Sequence, residues 1–148
     1  MEEVFLVTPN AWNMHARMGE VQYLWSQTLE GAEQVKVMSE SMRRFCRSIE
    51  LCDDYLRGYY GLKVTTARLA EVLDGGKKGQ ISRGDGETGE LPTPDVKTVR
   101  KLNEVATAKL AEIVRRAGSS EKGWDGYNSA ELKAAKELVG KDEQKIAR

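Results

Sequence analysis

The chain has 148 residues, 31% of them charged and 40% hydrophobic, with lysines plus arginines (23) equal to aspartates plus glutamates (23). That length allows one domain with a sizeable core and makes two domains a stretch, while the composition is that of an ordinary folded chain rather than a disordered one. No run of about eighteen apolar residues suggests a membrane partner, zero net charge gives no reason for non-specific nucleic-acid binding, and the start, MEEVFLVTPN, carries acids where a secretory signal carries lysines, so a cytoplasmic location is expected.

Val4 to Val7 is a short apolar run, after which Thr8-Pro9 supplies a cap and a proline at the first helical position. A first helix is predicted from there, with Met14, Met18, Val21, Trp25 and Thr28 as its apolar seam, widened by Trp12, Leu24 and Leu29. Glu30-Gly31 is the expected turn. His15, the single histidine, lies in this helix and reads as structural, since a metal site or a catalytic triad would lack its other members.

The stretch that organises the rest is Val35 to Tyr59. Val35, Met38, Met42, Phe45, Ile49, Cys52, Leu56 and Tyr59 step alternately by three and four, the spacing of a heptad seam, and the intervening residues are largely charged. One helix from Ala32 to about Gly61 is predicted; at about 1.5 Å per residue it is about 45 Å long, longer than its neighbours. Its far end, Leu56, Tyr59, Tyr60 and Leu62, is therefore the expected overhang and partner-binding surface, rich in the tyrosines that interfaces favour. Cys46 and Cys52 point to different sides of that helix and read as packing residues.

Gly61 is expected to end the long helix, and Thr65 or Thr66 to cap a short one from Ala67 to Leu73. Residues 75–92 contain six glycines and predict a loop or short β-hairpin. Thr93-Pro94 repeats the cap-plus-proline device, and Val99, Leu102, Ala106, Leu110, Ile113 and Ala117 give a further helix that ends at Gly118. Asn128 with Glu131 fits a capping box for a last helix carrying Leu132, Ala135, Val139 and Ile146, with Trp124 and Tyr127 anchoring its start.

Two other patterns bear on function. Thr66 to Arg83, TARLAEVLDGGKKGQISR, looks like the helix-turn-helix of small DNA-binding regulators, with Lys77, Lys78 and Arg83 placed to touch phosphates; Gly75-Gly76 lengthens its turn. Glu30-x-x-Glu33, followed after sixteen residues by Glu50-x-x-Asp53, resembles the acidic pattern of the MazG-like all-α nucleotide pyrophosphohydrolases. That resemblance implies that Glu30, Glu33, Glu50 and Asp53 hold Mg²⁺ against a pyrophosphate. A continuous helix keeps Glu33 and Glu50 about 25 Å apart, so this site requires a turn at Ser39-Glu40-Ser41. There is no P-loop or dinucleotide fingerprint, and no cofactor is implied.

The fold expected is all-α: an antiparallel bundle of four principal helices plus one short helix, in a single domain. The function expected is that of a non-enzymatic interaction or assembly protein that uses its long central helix to contact a second copy of itself or another protein. A DNA-binding regulator is the alternative, and a Mg²⁺-dependent pyrophosphohydrolase the third reading.

Overall fold

The computed structural model describes residues 12–75, 94–124 and 126–146, with side chains to residue 141. Within them the chain forms five helices: α1, Trp12–Ser26; α2, Gly31–Leu51; α3, Leu56–Gly75; α4, Val96–Gly118; and α5, Ser129–Ile146. No strand occurs among the described residues, so the all-α class holds. The starting cap Thr8-Pro9 and the glycine-rich insert at 75–92, apart from Gly75 at the end of α3, lie outside the described residues, as do Lys77, Lys78 and Arg83.

The long central helix is not continuous. It runs unbroken through Ser39 to Ser41 and stops at Leu51; Cys52 is extended (φ −146°, ψ 101°), and its N–H donates to the Ser48 carbonyl to close the last turn. Cys52 to Tyr55 then reverses the chain, with the Tyr55 N–H donating to the Cys52 carbonyl. The heptad spacing survives the turn because Phe45 and Ile49 on α2 and Leu56 and Tyr59 on α3 face one core from two helices. Gly61 likewise does not end a helix, and the short helix expected at Ala67 to Leu73 is the second half of α3.

Packing is sequential rather than that of a closed bundle. Each helix packs on the next, α1 and α5 also reach α3, and among the described residues α1 and α2 touch neither α4 nor α5. Helix α3 is thus packed against all four others and is the only helix that joins the two pairs.

Close approach on either side of Phe45 makes this possible. A Cβ at Gly61 of α3 would lie 2.1 Å from the Phe45 ring, which excludes any side chain there, and one at Gly19 of α1 would lie 3.0 Å from it, a tight contact that would push the ring by a few tenths of an ångström. Gly58, one turn before Gly61, meets Ile49 in the same way, with 2.7 Å between an added Cβ and the Ile49 methyl. Buried serines complete the α1–α2 contact: Ser41 Oγ donates to the Gly19 carbonyl at 2.6 Å, and Ser48 Oγ to that of Trp12 at 2.7 Å. These bonds satisfy hydroxyls that would be costly to bury alone.

Between α3 and α4 the interface is mixed. Val99, Ala106, Leu110 and Ile113, all on the predicted seam, are buried, while Asn103 Nδ2 donates to the Lys63 carbonyl and to Thr66 Oγ1, each at 3.0 Å. Lys63, only 2% exposed, donates from Nζ to Thr107 Oγ1 at 2.6 Å. Helix α4 begins a little later than expected, with Asp95 rather than Thr93 at its N-cap, and ends at Gly118 as read from the sequence.

The last helix starts on its predicted cap, Asn128 Oδ1 accepting from the N–H groups of Ala130 (2.8 Å) and Glu131 (3.4 Å). Tyr127 and Trp124 do anchor it. The Tyr127 hydroxyl donates to the Asp54 carbonyl at 2.6 Å, its ring stacks on Trp124 with centroids 6.2 Å apart, and the Arg116 guanidinium lies 4.9 Å from the Trp124 ring centre. The α4–α5 connection is thereby pinned to the turn between α2 and α3.

Phe45→Ala is expected to cost about 3 to 5 kcal/mol in urea unfolding, as for other large core aromatics. Gly61→Ala should also destabilise, by about 1 to 3 kcal/mol, although alanine is the better helix former; a stabilised Gly61→Ala would show that the α2–α3 contact is not tight.

Candidate functional site

Helix α1 meets the rest of the molecule through small residues. Ala16, Gly19 and Ser26 are its buried positions, and at about 100° per residue they share one side of the helix. The apolar seam read from the sequence lies on the other side. Val21 is 67% exposed, Leu24 66% and Trp25 55%, and Trp12 is exposed as well. Met14, Met18 and Val21 line a shallow hollow of about 420 Å³ with Arg17, Glu20 and Gln22. The expectation that this seam faces the core is therefore corrected. The serines of α2 bond directly to the α1 backbone, an approach that only a small-residue face permits.

A second concavity, of about 450 Å³, opens between α1, α3 and α5. Glu20, Tyr23 and Leu24 come from α1; Leu56, Arg57, Tyr60, Gly61, Val64 and Thr65 from α3; Glu131 and Ala134 from α5. The Phe45 ring also lines it, beside the bare backbone of Gly61. Arg57 Nε and Glu131 Oε1 form an ion pair 2.9 Å long between α3 and α5. Thr65 is fully buried, and its hydroxyl has no hydrogen-bond partner among the described residues.

The structure separates the residues expected to bind a partner. Leu56, Tyr59 and Leu62 are buried in the core, because α3 folds back instead of projecting. Tyr60 is half-buried and lines the α1–α3–α5 concavity. Sequence reasoning missed the other residues of that concavity; the signal within reach was Gly58-x-x-Gly61, a pair of helix-interior glycines that only close packing accounts for.

The four acids expected to hold Mg²⁺ do not come together. Glu33 and Glu50 lie on one unbroken helix, Glu50 pairs with Arg47 at 3.2 Å, and among the described residues no group of three or more histidines, cysteines or acids is placed to hold a metal. The turn this site needs at Ser39 to Ser41 is absent. Cys46 and Cys52 are free; burial pushes the Cys46 thiol up to about 11.

His15 sits where α1 meets α2, its Nδ1 3.5 Å from an Arg44 guanidinium nitrogen. Burial, and then the charges of Arg44 and Arg47, push the imidazole below its ordinary value. The guanidinium can only donate, so Nδ1 accepts and the neutral ring is the favoured form. Among the described residues, no helix is long and apolar enough to cross a membrane.

No known protein family matches the chain, and no solved structure does. Over 108 residues it is 25% identical to the "TPR repeat protein oca3" of Schizosaccharomyces pombe; that stretch is 73% of this chain and 36% of that protein. The chain therefore spans about a third of the length of the curated relative it matches.

The His15 environment sets the sign of one pH effect. A histidine whose folded value lies below its unfolded value binds fewer protons when folded, so its contribution is intact above the unfolded value, near 6.5, and is lost as pH falls through the folded one. Urea unfolding at pH 7.5 and pH 5.5 should show a larger loss for the wild type than for His15→Gln. Equal losses would mean that His15 titrates as it does in the unfolded chain.

Proposed function

We propose that this chain is a protein-interaction module that receives an amphipathic helix of another protein on the outward face of α1. The exposed apolar seam of α1 carries this reading. Among the described residues, Val21 and Trp25 stand exposed together on the outward side of α1, beside the half-buried Met14 and Met18 and with exposed Leu24 at the edge; Trp12, half a turn away from Val21, is exposed at the other side of the helix start. A patch of that kind on a folded protein marks a contact site. The occupant is a helix because Met14, Met18, Val21 and Trp25 step by four, three and four, the spacing at which helices interdigitate. The contact role expected of the central helix thus passes to α1.

Helix packing and the weak similarity to a TPR repeat protein support the reading. TPR repeats are helix–turn–helix units that cannot bury their apolar faces alone and stack on neighbours. Here too each helix packs on the next, and α1 and α5 each also contact α3. Such a stack leaves the outer face of its first helix open to a further helix.

The test is a photo-crosslinker at Val21, with the captured protein identified, purified and remeasured against the intact chain. Trp25→Glu is expected to weaken that complex about 100-fold, the loss of one buried anchor. Capture of a second copy of this chain, or an affinity that Trp25→Glu leaves unchanged, counts against a partner helix at this face.

A further inference from the structure

The α1–α3–α5 concavity is built differently from the α1 seam and asks for a different ligand. We propose that it binds a basic, amphipathic peptide segment of a partner protein, with an apolar side chain seated against Leu24, Tyr60 and Val64 and a lysine or arginine directed at Glu20. This rests on the reading of the chain as an interaction module, but it concerns the other flank of α1, with Leu24 at the edge between the two surfaces.

The floor is apolar for a structural reason. Gly61 has no side chain, so its bare backbone, packed directly on the buried Phe45 ring, forms the bottom of the hollow. Leu56, Val64 and Leu24 continue the apolar wall, and Tyr23 and Tyr60 supply rings on two of its sides. The volume, about 450 Å³, is within the ordinary range for a ligand site, and the hollow is open to solvent between three helices, which suits a side chain and its flanking backbone better than an enclosed small molecule.

The rim supplies the sign of charge. Its ionisable lining residues are Glu20, Glu131 and Arg57, two carboxylates against one guanidinium, and Arg57 is already engaged by Glu131 at 2.9 Å. Glu20, on the α1 side, is left to set the local charge. A cationic group beside apolar walls is the complement: its methylenes pack against Leu24 and Tyr23 while the charge reaches the carboxylate.

Thr65 is the second, independent observation. It is 0% exposed and lines the hollow, yet its hydroxyl has no hydrogen-bond partner among the described residues. Thr66, beside it, bonds back to the Leu62 carbonyl at 2.7 Å, the usual resort of a threonine inside a helix. A buried hydroxyl without that bond carries an unmet cost, and a polar backbone group of a bound segment would remove it.

A blocked hexapeptide of alternating leucine and lysine serves as the probe, titrated into the isotopically labelled full chain by NMR, with the leucine–glutamate peptide as its counterpart. Saturable shifts are expected at the amides of Gly61, Val64 and Thr65 with the basic peptide and not with the acidic one. Glu20→Gln should weaken binding about tenfold through loss of a charge-assisted contact, and Ala134→Trp, which fills the mouth from α5, should abolish it while the spectrum stays that of a folded protein. Trp25→Glu should leave the titration unchanged, so failure of the α1 docking site and failure of this one are separable. No saturable shift at those amides, equal binding of the acidic peptide, or unchanged affinity in either Glu20→Gln or Ala134→Trp overturns the proposal.

Discussion

Phe45 is the residue on which three helices depend. Its ring leaves α2 and is bounded by Gly61 of α3 on one side, where any Cβ would collide with it, and by Gly19 of α1 on the other, where one would be tightly squeezed. The two glycines give up helix propensity, about 1 kcal/mol each relative to alanine, in exchange for helices near enough to enclose an aromatic ring. Once that contact is fixed, α1 meets α2 most closely through small residues, and Ser41 and Ser48 reach its backbone directly. Val21 and Trp25 of α1 are left facing outward. The exposed seam and the glycine floor of the groove are thus two results of one packing choice.

Much of the fold was legible because helical periodicity reports burial. The α4 seam is buried where the spacing put it, and Asn128 caps α5 through its side chain. The turn at Cys52 to Tyr55 was hidden for a physical reason. It contains neither glycine nor proline, and its length happens to return Leu56 and Tyr59 to the same phase, so two antiparallel faces of one core read as a single stripe. Asp53-Asp54 was the only local sign, and paired acids are equally at home on a charged helix.

The functional surfaces were harder to read, because periodicity identifies an apolar face without saying what covers it. Periodicity groups Met14, Met18, Val21 and Trp25 on one side of α1 but does not tell that this side faces outward, and it carries the seam on to Thr28, beyond the helix end at Ser26. Leu56, Tyr59 and Leu62 were assigned to a surface and belong to the core, whereas Tyr60, one position off their stripe, reaches the groove. Glu20, Thr65 and Glu131 come from three helices and are far apart in sequence, so only the folded chain brings them to one place. Glycines were read as stops, and Gly61 turned out to be a point of contact.

The packing of α3 has a mechanical consequence. Among the described residues the α1–α2 pair and the α4–α5 pair do not pack helix on helix, so their relative tilt is set through α3 and the turn before it. Each is braced against α3, through glycines and an aromatic ring on one side and through the Lys63, Asn103 and Thr107 hydrogen bonds on the other, with Tyr127 and Lys109 also held to Asp54 of that turn. The helix acts as a torsion bar with a lever on each flank. Any bend in α3 would change the spacing between α1 and α5, and a ligand held between those levers would stiffen the bar along its length.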